Sequence, residues 1–286
     1  MITVSAKDSS QQQFHGFLLG AVGPRPIAFA STIDKNGKPN LAPFSFFNVF
    51  SSNPPIAIFS PARSGRDGSS KHTLDNVKEV PEVVLNIVNY NMVQQMSLAS
   101  SPYAKGVDEF EKAGFTKLAS QSIKPFRVAE APVTMECTVK EVIELGQGGG
   151  AGNLVVCEVQ LIHIKEEVLD ANGKIDQQKI DLVARMGGNW YCRAHGDALF
   201  EIAKPITTLG IGVDVIPAEI KNSKILSGNN LGQLGNVEHL PTAEEIAAYK
   251  NESSTKFTNP EELHQYAKTL LDVNKVDEAW KVLLGN

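Results

Sequence analysis

Pro26-Ile27-Ala28-Phe29-Ala30-Ser31-Thr32-Ile33, then Asp34-Lys35-Asn36-Gly37, then Pro39-Asn40-Leu41-Ala42-Pro43-Phe44-Ser45-Phe46-Phe47 is the stretch on which the fold turns. Two apolar runs flank an Asn-Gly pair. That pair tolerates the left-handed backbone a tight hairpin turn needs, so the spacing predicts paired strands over 26–33 and 39–47. Short apolar runs follow at Ile56–Ser60, after Pro54-Pro55, and at Val83–Val88. Val133, Met135, Cys137 and Val139 alternate with Thr134, Glu136 and Thr138, the period of a half-buried strand. Leu154–Ile164 reads as a long strand, joined to the previous one through the flexible run Gly146–Gly152. A further hairpin is predicted within Val168–Val183, turning at Asn172-Gly173. Helices are few: Thr73–Val80, stopped by Pro81, and Tyr90–Ser100. Many short strands joined by turns predict a barrel or sandwich.

Beyond about residue 205 the pattern becomes helical. Thr242 and Glu245 form a capping box. Asn259-Pro260-Glu261-Glu262 has a cap, a proline at the first helical position and early acids. Asn274 opens a last apolar helix through Trp280 to Leu284. The expected organisation is a β domain over 1–205 and an irregular, then helical, extension over 206–286.

The chain has 286 residues, 42% hydrophobic and 21% charged, with 27 basic and 32 acidic side chains and a net charge of −5. That length buries a core without disulfides or metals, and the balance lacks the footprint of a nucleic-acid binder. The three cysteines show no paired spacing and suit a reducing, cytoplasmic setting. The N-terminus, Met1 to Gln13, has no apolar signal core, and no run reaches the length of a membrane span.

The segment most suited to chemistry is Ser60–Thr73, which holds Arg63, Ser64, Gly65, Arg66, Gly68, Ser69, Ser70 and Lys71 between a strand and a helix. Glycines let backbone N–H groups converge, hydroxyls donate, and the helix start adds a positive dipole end. Such a loop suits a phosphate or plain solvent equally. It is not a P-loop, because Ser70 precedes Lys71. Among the glycines, Gly65 and Gly68 are expected to matter more than the run from Gly146. That run precedes a strand, where a dinucleotide fingerprint requires a helix. Pro43–Asn48 suits a flat heterocycle or a plain core strand. Cys192 and His195 lack the second pair a zinc site needs, and no Gly-x-Ser-x-Gly elbow occurs.

The ordered series Pro24-Arg25-Pro26-Ile27-Ala28-Phe29-Ala30-Ser31-Thr32, Gly37, Asn40–Asn48, Pro54-Pro55, Lys71-His72-Thr73 and Arg185-Met186-Gly187-Gly188-Asn189-Trp190-Tyr191 resembles the flavin reductase-like family over about residues 14–195. The family more often has Asp where this chain has His72. The resemblance implies a mainly β fold: an FMN-binding split β-barrel, antiparallel and of Greek-key type, with short helices and a mostly helical C-terminal extension. It implies FMN as cofactor and NAD(P)H as co-substrate. The phosphate would fall to Ser60, Arg63, Lys71, His72 and Thr73. The ring would fall to Ser45, Phe46, Phe47 and Asn48, with hydroxyls from Ser31 and Thr32. His163, Arg185 and Tyr191 would sit on the substrate side, with no protein acid or base needed for hydride transfer. The implied assembly is a homodimer with flavin near the interface, passing electrons to a monooxygenase or another acceptor. An electron-carrier flavoprotein of flavoredoxin type, without nicotinamide turnover, needs the same cradle.

Overall fold

The computed structural model describes residues 1–252 and 255–285. The chain divides into two compact units, Met1–Phe200 and Glu201–Asn286. The first contains α1 (Gln11–Ala21), β1 (Ala28–Ile33), β2 (Pro39–Phe44), β3 (Phe47–Ser52), β4 (Pro55–Phe59), α2 (His72–Glu79), β5 (Glu82–Ile87), α3 (Val93–Leu98) and α4 (Glu109–Ala113). It continues with β6 (Lys117–Leu118), β7 (Arg127–Val128), β8 (Val133–Glu144), β9 (Asn153–Ile164), α5 (Gln177–Ile180), β10 (Leu182–Arg185) and β11 (Tyr191–Ala194). The unit is mainly antiparallel β with several helices.

Seven strands form one antiparallel sheet in the order β2-β1-β5-β8-β9-β4-β3. The Asn-Gly turn forms where the sequence places it. Asp34 Oδ1 accepts from the backbone N–H groups of Asn36 (2.8 Å) and Lys38 (2.9 Å), and Gly37 takes φ +79°. The second predicted strand does not run through to Phe47. It pairs with β1 only as far as Ala28↔Phe44, where β1 begins, and the chain breaks at Ser45-Phe46 to start β3. β2 and β3 are therefore the two edges of the sheet, yet three Cα steps, about 11 Å at full stretch, join them. The sheet must curl until its edges approach, and no ladder between them closes it.

Both faces of β1 are buried. Ala28 and Ala30 pack with Phe59, Leu85, Val155 and Cys157 under Leu74 and Val77 of α2. Phe29 faces the other way, onto Met92, Met96 and Phe110. Asn86, fully buried in β5, donates to Phe29 O (2.8 Å) and accepts from Val128 N (2.9 Å), tying β7 to the sheet.

The hairpin expected within 168–183 is cut to one bridge, Leu169↔Ile175. Asp176 then caps the N–H groups of Gln178 and Lys179 and starts α5 instead. α1 lies where no helix was expected. Ser10 caps it, and none of its residues is buried. Its C-terminal end is held by the buried Arg25, whose guanidinium donates to the carbonyls of Leu19 (2.7 Å) and Val22 and to Met186 O (2.7 Å).

The second unit contains α6 (Ala218–Lys221), α7 (Gly228–Gly235), α8 (Ala243–Glu252), α9 (Pro260–Asp272) and α10 (Val276–Leu284). The Thr242/Glu245 capping box and the Asn259 cap both form. Asn274 takes φ +59° in the turn before α10, whose N-cap is Lys275. Trp280 is the largest side chain fully buried here, among Ile220, Leu234, Leu271 and Leu283, with its indole N–H on Leu234 O at 3.0 Å. Trp280→Ala is expected to destabilise this unit by about 3–5 kcal/mol, the usual cost of emptying a large aromatic site. Trp280→Phe should cost clearly less. Thermal unfolding followed by circular dichroism reads both.

Candidate functional site

A cleft of about 700 Å³ opens in the first unit. One wall is the end of β2 with the sheet-edge junction: Asn40, Pro43, Phe44, Ser45 and Phe46. A second is the polar loop between β4 and α2, including Ser60, Ser64, Arg66, Ser70, Lys71, His72 and Thr73. A third comes from Ser100–Tyr103 and Glu109.

The polar loop is shaped from behind. Asn153 donates through its side chain to Pro61 O (2.8 Å), and its N–H donates to Ser60 Oγ (3.0 Å), fixing the start of the loop. Arg63 N–H reaches Ala151 O (2.8 Å), and Gly150 N–H reaches Arg63 O (3.1 Å). The Arg63 guanidinium lies beneath the loop, donating to Gly68 O (3.3 Å), Gln147 Oε1 (3.0 Å) and Glu144 (3.3 Å). The Lys78 ammonium and the Gln147 amide, with Arg63 behind them, hold the Glu144 carboxyl at about 2. A Cβ at Gly149 would meet Ser64 O at 3.0 Å, whereas one at Gly65 would meet nothing. The glycine whose bareness the loop needs thus lies in the run from Gly146, contrary to the expectation for Gly65. Gly68 takes φ +71°, as a turn glycine does.

Three sources of positive potential face the cleft. Lys71 and Arg66 line it, and neither has a carboxylate partner among the described residues. The N-terminus of α2 opens there with no side-chain cap, leaving first-turn N–H groups to accept an anion. The loop's own acid, Asp67, is turned onto Ser69, whose hydroxyl (2.7 Å) and N–H (3.0 Å) hold its pKa at about 2. Beside them, Asn40 donates to Thr73 Oγ1 (2.9 Å), and Glu109 accepts from Leu41 N–H (3.0 Å). Burial raises the Glu109 pKa, against the pull of that N–H.

A smaller cleft of about 210 Å³ shares Pro43, Ser45 and Ser100 with the first and adds Ile27, Met96, Ser97, Arg185 and Tyr191.

Of the residues expected from sequence, Ser45, Phe46, Ser60, Lys71, His72 and Thr73 line the main cleft, and Arg185 and Tyr191 the smaller one. The others are placed elsewhere. Ser31 and Thr32 are fully buried in β1, with Thr32 accepting from Asn76 (3.1 Å). Phe47 packs on the sheet core, and Asn48 Oδ1 accepts from Val49 N–H. Arg63 braces the loop from behind. His163, on β9, lies 2.8 Å from Glu136 on β8 and lines neither cleft. Arg66, read from sequence as a cation of the polar loop, and Asn40, at the start of the Asn40–Asn48 segment, line the main cleft too, and Tyr103 and Glu109 line it without having been expected. Among the described residues there is no cluster suited to a metal ion, and no helix is long and apolar enough to cross a membrane.

A model of the flavin reductase-like domain matches residues 21–179. This chain belongs to the flavin reductase-like family. An uncharacterized protein of Aquifex aeolicus is 33% identical over 196 residues, 68% of this chain and 97% of that one. Among solved structures, nitrilotriacetate monooxygenase component B from Bacillus cereus is 28% identical with TM-score 0.66, covering 71% of this chain and 98% of its own. A split barrel domain protein from Shewanella frigidimarina (23% identical, TM-score 0.60, 71% of this chain and all of that one) has a similar fold.

The Glu136 contact, though outside the clefts, has a measurable signature. Burial alone would raise the pKa of this carboxyl, but the N–H groups of Gln121 and Ser122, the Ser122 hydroxyl and His163 outweigh it and hold the value at about 2, against an ordinary 4.5. The folded value lies below the unfolded one. The stabilisation is therefore complete above about pH 4.5 and is lost as pH falls from there towards 2, about 3 kcal/mol in all. Glu136→Gln should flatten the fall in stability across that window in acid denaturation. An unchanged slope would contradict it.

Proposed function

We propose that this chain is an FMN-dependent oxidoreductase of the NAD(P)H:flavin reductase type, built on the FMN-binding split barrel of Greek-key type. The observation that carries the reading is the uncapped N-terminus of α2 with Lys71 and Arg66 in the same cleft as the Pro43–Phe46 wall. FMN joins a phosphate, a polyol and a flat, largely apolar ring. The cleft offers cations and N–H donors, then the Asn40–Thr73–Glu109 polar group, then proline and phenylalanine. The chemistry of the donor set therefore fits the cofactor.

FMN, when bound, supplies the hydride and electron chemistry. The protein's part is to bind, orient and keep water out. Lys71 and Arg66 hold the phosphate with charge-assisted hydrogen bonds, and the first-turn N–H groups of α2 add to them. Asn40, Thr73 and Glu109 exchange hydrogen bonds with the polyol. Ser45 and the backbone at 45–46 would donate to the polar edge of the ring, where donors stabilise developing negative charge. Phe44 and Phe46 cover the ring. A nicotinamide approaches from the side of Tyr191.

A homodimer with flavin near the interface is supported by Phe46, Val49 and Phe50, exposed by 41%, 61% and 64% beside the cleft and along the edge strand β3. A partner monooxygenase or another acceptor is supported by the likeness to a monooxygenase component. Three unpaired cysteines, two of them buried, fit a cytoplasmic setting.

Purified protein mixed with FMN and desalted should keep a visible flavin spectrum and should oxidise NADH or NADPH when flavin is added. A colourless product would overturn the reading. A bound, reducible flavin without nicotinamide turnover would replace it with an electron carrier. Lys71→Ala should weaken FMN binding by about 1.5–3 kcal/mol, roughly ten- to a hundredfold, in a fluorescence titration.

A further inference from the structure

We propose that the smaller cleft is a carboxylate-recognition subsite, in which Arg185 takes the acid group of a small apolar carboxylic acid lying beside the flavin. The position beside a flavin rests on the function proposed above, while the recognition chemistry rests on the cleft alone.

Two arginines in this unit stack on tyrosines. Arg193 lies 3.8 Å from the ring centre of Tyr90, and its fork is filled: Nε and Nη2 donate to the two carboxylate oxygens of Asp181, each at 2.7 Å. Arg185 lies 4.7 Å from the ring centre of Tyr191, its direct cross-strand neighbour in the β10–β11 hairpin. Its guanidinium has no carboxylate or carbonyl partner among the described residues. The same stacked geometry is thus satisfied at one position and left open at the other.

The open guanidinium is held in place. Arg185 exchanges backbone hydrogen bonds with Arg25, N–H to O at 2.9 Å in both directions, and its guanidinium lies over the Tyr191 ring. A planar fork with two parallel donors matches a carboxylate better than a point charge does. The buried Arg25 guanidinium close by adds a second positive charge, and its two terminal nitrogens are engaged by the Leu19, Val22 and Met186 carbonyls. No described acid lines the cleft to neutralise this charge.

The rest of the lining selects the body of the ligand. Ile27, Pro43 and Met96 make an apolar floor, and Ser45 and Ser97 add small polar edges. At about 210 Å³ the cleft suits a single ring or a short chain, not a dinucleotide. Sharing Pro43, Ser45 and Ser100 with the main cleft places such an acid against the wall assigned to the flavin ring.

Benzoate, a flat apolar acid, and benzamide, its uncharged counterpart, are the probes. Both are titrated calorimetrically into the full chain, with and without FMN, while FMN uptake is read separately by absorbance. Benzoate should bind at least tenfold more tightly than benzamide. Arg185→Ala should lower benzoate affinity at least tenfold, with Arg185→Lys in between, since it keeps the charge and loses the fork. Equal binding of the two probes, no benzoate binding, or undiminished binding by Arg185→Ala would overturn the proposal. Pyrophosphate binding more tightly than benzoate would also overturn it, by giving Arg185 to the phosphates of a dinucleotide. Benzoate binding by a protein that takes up no FMN would sink the flavin reading and leave the subsite standing. FMN uptake without benzoate binding would do the reverse.

Discussion

Two residues, Ser45 and Phe46, join the opposite edges of a seven-stranded sheet, and the rest of the first unit is arranged around that constraint. An antiparallel sheet twists as a matter of backbone sterics, but twist alone leaves its edges far apart. Here the chain leaves the β2 edge and enters the β3 edge within one short turn, so the curl is imposed covalently. The curl wraps both faces of β1 in apolar side chains, and it carries the Pro43–Phe46 wall into the same cleft as the β4–α2 loop. Cleft-lining residues from distant parts of the chain meet because the edges do.

The polar loop shows how a charged site is held without being neutralised. Its own acid, Asp67, lines the cleft but is bonded to Ser69, and Glu144 of β8, behind the loop, is taken up by Lys78, Gln147 and Arg63. One of its three cations, Arg63, serves as internal scaffolding, which leaves Arg66 and Lys71 for a ligand. The glycine run between β8 and β9 allows the backbones to approach closely enough for this bracing. Arg25 plays a similar part on the other side, collecting carbonyls from α1 and from the segment after β10 and so placing Arg185.

Much of this was legible from residue order, and the rest fails for identifiable reasons. The first hairpin was readable because Asp34, Asn36 and Gly37 encode their turn locally. The β4–α2 loop was readable as a basic, glycine-containing loop ahead of a helix, but the side of it that each arginine faces was not. That depends on Glu144 and Gln147, more than eighty positions away. The break at Ser45 is hidden because apolar residues continue through it. Glu109 enters the cleft by bonding Leu41, 68 positions earlier, and nothing near it in sequence reports this. α1 escapes because a helix that buries nothing in its own unit has no apolar stripe to read. His163 reads from its strand as a satisfied, partly buried histidine and from the resemblance as a substrate-side residue, and the structure pairs it with the buried Glu136 outside both clefts.

The open seam between β2 and β3 sets how the cleft can change shape. Within a continuous ladder, moving two strands apart costs a row of backbone hydrogen bonds. Across this seam there is no such ladder; the Ser45–Phe46 link, the Phe44–Phe59 ring contact and the Ser60 N–H bond to Phe46 O limit the separation. The aromatic wall is therefore held by side-chain packing and one turn, and the loop braced by Arg63 by a network of hydrogen bonds. The architecture sets a hydrogen-bonded loop and a side-chain-packed wall in one cleft, two kinds of restraint that respond differently to a change of shape.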